Sequence, residues 1–537
     1  MKEYNVILKK DVDYDGFWED METETDGLLY IPNRRIEFTN ERPGSLRQCW
    51  YNLTDEEAGV VRQDPRVLAV EIPPEHRDDI QIGLRAVQTG VFTKTTSDSG
   101  NYQNWGLIRH TSTSNNYGTD TTTSLDFTYV LSGRGVDVVI QDSGIQTDHP
   151  EFQDSAGNSR FVSVDWGAVH GGFTQNANHD RDYDGHGTHC AGIAAGKTFG
   201  WAKNARIHHQ KIQGLEGSGD SGTGISPTYA FDAIKLWHND KSTDPNTGYK
   251  RPTVINMSWG YLATYTSISS IVYRGVTYSG VDVDTTTERN NNYGLITNYF
   301  EFPTTFMTNV RLFSVDTDIE ELLDAGVHIC VAAGNRSHKI DEPGGTDFDN
   351  YAVTTGGTAG TVYYHRGSSP YGDAACDGSP RAIIVGSMDS SVYDSNNDQK
   401  ATYSETGPGV DIYAAGTNIM SSTSTTNKWG GGSQNYYLNS SYKQTNISGT
   451  SMASPQVAGI GACLLELYPS WTPEQLKQYL LNNAGSAIYD TGVNNDWTNY
   501  ISLKGGALKV VSMPFTNPIP IRIRGVVPTF NVSIKER

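Results

Sequence analysis

The chain has 537 residues, 36% of them hydrophobic and 19% charged, with a formal net charge of -20. That length buries at least one large core with room for a small second domain, and 56 glycines with 30 tyrosines fit a sheet-rich chain with many loops rather than a coiled coil or a disordered one. The negative balance argues against a nucleic-acid partner, and no stretch reaches the roughly 18 apolar residues of a membrane span.

Residues 1 to about 76 read as a small α+β module. Tyr4–Lys9 and Gln48–Asn52 are strand-like, and Asp13–Met21 is a short helix. Thr54-Asp55-Glu56-Glu57 is a capping box that opens a second helix, and Val67–Ile72 is a closing strand after the turn Asp64-Pro65-Arg66. Residues 77–104 turn polar around Thr93–Gly100 and read as an exposed linker.

The large unit, residues 105–500, opens with the strand Val136–Ile140, whose single charge, Asp137, needs a partner or an exposed end. Short apolar strands recur at Ala205–Ile212, Thr253–Met257, Val327–Ala332, Ala382–Val385 and Val410–Ala414. Helical patterns occupy Thr228–His238, Asp316–Ala325 and Met452–Leu467, and another runs from Thr472-Pro473 to Leu481. Buried strands alternating with helices predict an open α/β sheet, mostly parallel. Tyr261–Thr308 and Ser337–Ser379 read as insertions, and within the tail 501–537 the run Ile519–Arg524 reads as extended.

Five cysteines, Cys49, Cys190, Cys330, Cys376 and Cys463, are too few for a disulfide framework, although one or two bridges remain open. The apolar run within Met1–Asp11 is too short for a signal-peptide core, which leaves intracellular, virion-associated and non-classically exported locations all open.

Three stretches carry chemistry. Asp142, in Gln141-Asp142-Ser143-Gly144-Ile145, follows a buried strand at the edge where α/β sheets present functional groups. Asp182-Tyr183-Asp184-Gly185-His186-Gly187-Thr188-His189 places His186 at the mouth of a small-residue helix. His186 and His189, three apart, also raise a zinc pair, without the glutamate of a His-Glu-x-x-His base. Gly449-Thr450-Ser451-Met452-Ala453-Ser454-Pro455 is a tight turn feeding a buried helix. A serine hydroxyl becomes a useful nucleophile when an imidazole takes its proton, and the imidazole needs a carboxylate to fix its tautomer.

These stretches, in the order Asp, His, Ser, resemble the subtilisin-like serine proteases (subtilases). Cys190 after His189, and Ala401–Ser404 leading to Val410–Gly416, look closest to the proteinase K branch. The resemblance implies a three-layer subtilisin-like fold with a central, mostly parallel sheet, preceded by a ferredoxin-like inhibitory prodomain over 1–76 that is cut away between about Ile72 and Asn104. It implies a serine endopeptidase with Asp142, His186 and Ser451 as catalytic residues, and Asn335 with the Ser451 amide as the oxyanion hole. A protein or peptide substrate would lie along Ser258, Trp259 and Gly260, with Ala333 and Gly334 opposite. Trp259 stands where the family most often has a smaller aliphatic residue, and Tyr261–Thr308 would wall or lid the cleft, unless it is a surface insertion with no role in binding. Structural calcium is implied at Asp389 and carbonyls near Pro370; Asp180, Asp182 and Asp184, and the loop Asp394, Asn396 and Asp398, are further acidic candidates. Cys190 would lie near His186, packing the helix or conferring thiol-reagent sensitivity. The rival function is a silent subtilase-like scaffold used for assembly or binding.

Overall fold

Strands of Val, Ile and Ala, covered on both faces, build the central sheet of the computed structural model. It describes residues 1–22, 36, 38–42, 44–77, 80–84, 87–89, 104–115, 129–245, 247–297, 306–357, 360–372, 381–393 and 397–513. Thr93–Gly100, Cys376, Asp394, Asn396 and Ile519–Arg524 lie outside these residues.

The strands run side by side in the order Asp398–Lys400, Ile383–Val392, His328–Ala332, Thr253–Met257, Asp137–Asp142 and Arg206–Lys211, with Ile412–Ala415 also on Ile383–Val392. All pairings are parallel except that of the edge strand Asp398–Lys400. All six strands expected from the sequence take part. Asp137 finds partners rather than solvent: Lys241 at 2.6 Å, Arg251 at 2.9 Å and His208 at 3.4 Å.

Helices His186–Ala195 and Thr450–Leu467 pack on each other and on the sheet. A second pair, Pro227–Asp240 and Phe313–Asp324, carries the N-terminal unit. That unit is a four-stranded antiparallel sheet, in the order Phe38–Glu41, Gln48–Leu53, Lys2–Leu8, Val67–Glu71, with helices Tyr14–Glu22 and Asp55–Val61. Its own core includes Val6, Leu8, Phe17, Met21 and Tyr51, and the Thr54/Glu57 capping box forms in both directions.

Charge holds this unit to the second helix pair. Arg42 is buried against Asp232 at 3.1 Å and Asp318 at 2.8 Å, and Arg47 meets Glu320 at 2.6 Å. Burial works against the Arg42 charge, but the two carboxylates outweigh it and raise its pKa. Two more carboxylates meet helix N-termini, where unpaired N–H groups favour negative charge. Glu71 accepts from the Ser314 amide at 2.9 Å; Glu75 accepts from the Thr228 amide at 3.0 Å and from the Ser226 and Thr228 hydroxyls.

Downstream, Ile80–Leu84 pairs antiparallel with Trp259–Ala263, and Val87–Thr89 pairs with Ile447–Ser448. The two insertions do not form separate surface excursions. Trp259–Tyr273 is one 15-residue strand that gathers Val276–Ser279, Phe306–Asn309 and Tyr351–Gly357, with Gly360–Tyr363 beyond, into an antiparallel accessory sheet. Ile271, Val283, Tyr293, Leu295, Ala352 and Tyr364 form its separate small core.

Candidate active site

Asp142 ends the strand flanked by Arg206–Lys211 on one side and Thr253–Met257 on the other, where the sheet's chain order reverses. The helix starting at His186 presses against the turn after Asp142. A Cβ on Gly187 would sit 2.1 Å from the Gly144 carbonyl oxygen, so only glycine allows this approach. Asp182 fixes the helix start. It accepts from the Gly185 amide at 2.7 Å, the Thr188 amide at 2.9 Å, the Thr188 hydroxyl at 2.5 Å and the Ser143 hydroxyl at 3.0 Å.

This packing puts His186 Nδ1 at 2.8 Å from Asp142 Oδ1 and 3.0 Å from Oδ2, with both side chains fully buried. With Nδ1–H donating to the carboxylate, Nε2 carries the lone pair, and Nε2 is buried with no hydrogen-bond partner. Ser451 lies in the first turn of its helix. Its hydroxyl donates to the Ser258 carbonyl at 3.2 Å, and its own carbonyl accepts from the Ser258 hydroxyl at 3.0 Å and from Cys190 Sγ at 3.4 Å. Cys190 Sγ is 3.8 Å from His186 Nδ1, so the thiol bridges the histidine and serine sides of the site. Burial pushes its pKa up, and nearby Asp142 adds to the effect, which keeps the thiol protonated.

Across from Ser451, Asn335 follows the strand His328–Ala332. Its Oδ1 accepts from the Thr450 amide and the Thr450 hydroxyl, both at 2.9 Å. That leaves Asn335 Nδ2 buried and unpaired, a donor aimed at nothing in the chain itself. Gly334 has φ +126, and a Cβ there would lie 2.5 Å from Glu405; its amide donates to the Thr450 hydroxyl at 3.1 Å. Ala333 is tied to Val385, and Ser258 and Gly260 flank Trp259, whose buried ring packs on Phe231 and Tyr261 at 6.3 and 5.7 Å between centroids. Gly260 pairs with Gly83.

The expected His186–His189 zinc pair does not form. His189 Nε2 lies 3.1 Å from both the Ile419 and Thr445 carbonyls, so it pins two strands and does not share a zinc with His186. The Asp182 oxygens accept from four donors, Asp184 pairs with Lys428 at 3.1 Å, and Asp398 is clamped by Arg109, so these carboxylates are engaged within the chain. Asp389 lies on Ile383–Val392, and Pro370 follows Ser369 through a cis peptide. Among the described residues, Asp142, His186 and Cys190, and separately His179, Asp180 and His209, bring their possible ligand atoms within 4.8 Å of one another. There the His179 Nε2 lone pair is taken by the Lys211 amide at 3.1 Å.

Sequence reasoning missed Thr450 as the residue that orients Asn335, and Asp182 as a cap. Asp182 three residues ahead of Gly185 and a helix is a capping signal that was available; Thr450 carried none.

A family model described as the subtilase family matches residues 133–502. Subtilisin-like protease 3 of Saccharomyces cerevisiae is 25% identical over 521 residues, covering 95% of this chain and 80% of that protein. An extracellular serine proteinase of a Thermus species is 27% identical over 439 residues, covering 81% and 70%. Subtilisin-like serine protease Pen c 2 of Penicillium citrinum is 26% identical over 383 residues, and the match spans 70% of this chain but 59% of that protein. Among solved structures, fervidolysin from Fervidobacterium pennivorans shares the fold with a TM-score of 0.51 at 17% identity, over 98% of this chain and 61% of that one. The chain belongs to the subtilase family.

Proposed function

We propose that the protein is a serine endopeptidase that hydrolyses peptide bonds through Asp142, His186 and Ser451. The observation that carries this reading is the buried Asp142–His186 pair with an unpartnered Nε2, joined to Ser451 through Cys190 Sγ, together with a buried, unpaired Asn335 amide held by Thr450 next to Ser451. In the reaction, Ser451 Oγ attacks the substrate carbonyl carbon while its proton passes to His186 Nε2. Asp142 stabilises the imidazolium, and Asn335 Nδ2 with the Ser451 amide receives the developing oxyanion. His186 then hands the proton to the leaving amine, and water repeats the sequence on the acyl-enzyme.

The chain's own segment is the first substrate in this reading. Ile80–Leu84 lies on the Ser258 side of Ser451 and Val87–Thr89 pairs beside Ser448, which supports a cut within Leu84-Arg85-Ala86-Val87. That narrows the range from Ile72 to Asn104 expected from the sequence. The N-terminal unit 1–76, docked through Arg42, Glu71 and Glu75, then acts as an intramolecular inhibitor until cut. The mass of the purified protein tests this: wild type loses a fragment ending between residues 84 and 86, and Ser451→Ala stays whole. Retention of the full mass by wild type would remove the self-processing part.

Cys190 beside the site supports placement near the proteinase K branch. A structural calcium ion at Asp389 and carbonyls near Pro370 belongs to the same reading, and an unchanged melting temperature after chelation would dismiss it. Labelling by a serine-directed phosphonyl fluoride decides between protease and silent scaffold. Wild type takes the label and Ser451→Ala does not; an unlabelled wild type sinks the endopeptidase reading.

A further inference from the structure

Strands have two hydrogen-bonding edges, and the pairings of Trp259–Tyr273 show which partner uses which. Leu262 and Ala263 pair with Gln81 and Ile80 and also with Asn309 and Thr308, so Ile80–Leu84 and Phe306–Asn309 lie on opposite edges. Tyr265 pairs with Phe306 and also with Gly357, so Tyr351–Gly357 lies on the edge opposite Phe306–Asn309. It therefore shares an edge with Ile80–Leu84. The two are collinear: the first covers Trp259–Ala263, and the inserted strand begins at Tyr265 and runs on to Val272.

We propose that the inserted strand Tyr351–Gly357 ends the groove on the amino-terminal side of the cut, limiting backbone pairing of a peptide substrate to the five residues Trp259–Ala263. The residue that would fall opposite Tyr265 meets an edge already taken by Gly357, so an upstream peptide must turn away at the Thr264 position. The chain's own segment does so: Glu75, five residues before Ile80, sits at the N-terminus of helix Pro227–Asp240. Substrates are thus selected for an extended stretch of bounded length, with specificity confined to residues equivalent to 80–84 and those at the cut. This rests on the endopeptidase reading.

The test uses processed enzyme and peptides bearing a fluorogenic group across the mapped cut, lengthened one residue at a time upstream, with alanines beyond the Ile80 equivalent. Residues through that position raise kcat/KM in alternating steps, since antiparallel pairing bonds every second residue, by roughly 2–10-fold per backbone hydrogen bond gained, and the next two leave it unchanged. N-methylation of backbone amides beyond that position is without effect. In Thr355→Pro, which disrupts the inserted strand, the rise extends to a sixth and seventh residue; should that variant fail to fold, the wild-type series decides alone. Continued climbing in wild type past the fifth position overturns the groove limit while leaving the protease reading intact. Absence of both cleavage and phosphonyl labelling overturns the two together.

Discussion

Asn335 Oδ1 receives two hydrogen bonds from Thr450, one from its amide and one from its hydroxyl, each 2.9 Å long. The carboxamide cannot rotate without losing both, so Nδ2 is held as a fixed, unpaired donor next to the Ser451 helix. Asn335→Ala is expected to lower kcat by roughly 10²–10³-fold with KM little changed. Thr450→Val removes one of the two restraints and should lower kcat by about tenfold or less. Steady-state kinetics on a peptide substrate measures both, and a larger loss in Thr450→Val than in Asn335→Ala would refute this account of orientation.

The Asp142–His186 contact makes a second demand. Asp142→Asn keeps the shape but lets the side-chain amide donate toward Nδ1, which favours the wrong tautomer. A loss in kcat of about 10⁴-fold is expected, while phosphonyl labelling of Ser451 slows in parallel. A drop below about tenfold would show that the carboxylate does not govern the imidazole.

Acid should weaken the fold well above the usual carboxylate range. His179, His189, His328 and His338 have their pKa values pushed down to about 3 by burial, and His238 and His365 to about 4. These groups are neutral in the fold and take a proton once the chain unfolds. Between about pH 6.5 and 4 the unfolded chain therefore binds more protons, and stability is lost as pH falls through that window. Each such histidine contributes up to about 1.4 kcal/mol per pH unit. Urea unfolding of Ser451→Ala between pH 7 and 5 should show a falling midpoint, and His328→Phe should flatten the slope. A midpoint independent of pH over this range would contradict the burial argument.

Removing Arg42 should matter far more than removing an exposed partner. In Ser451→Ala, the added change Arg42→Ala strands Asp232 and Asp318 in a buried site and is expected to cost on the order of 3–5 kcal/mol. Lys2→Ala breaks a pair in which both side chains are more than half exposed, and should leave the unfolding midpoint nearly unchanged. Denaturant unfolding monitored in the N-terminal unit compares the two, and equal effects would contradict the difference in burial.

The parallel sheet was legible because its strands are short apolar runs separated by helices with local start signals. Thr54/Glu57 and Thr472/Gln475 form the capping boxes their spacing predicts. Asp142 could be placed because strand ends of such sheets present functional groups. The accessory sheet was not legible. Thr266, Ser267 and Ser269 interrupt the apolar residues too often to mark a strand, and their partners Thr355 and Val353 lie 84 to 89 positions away. The partners of the acidic loops were hidden for a related reason. Asp182, Asp184 and Asp398 have the composition of cation ligands, but their partners, helix amides, Lys428 and Arg109, are distant in sequence or come from backbone that composition does not reveal.

Trp259–Tyr273 belongs to two neighbourhoods at once, the Ser451 side at its beginning and the inserted hairpins farther along. Such a shared beam cannot be trimmed into an independent module. Loop grafts or deletions that loosen Val353 or Thr355 would be felt as misalignment at Gly260, so engineering of this enzyme has to treat recognition and scaffold as one mechanical part.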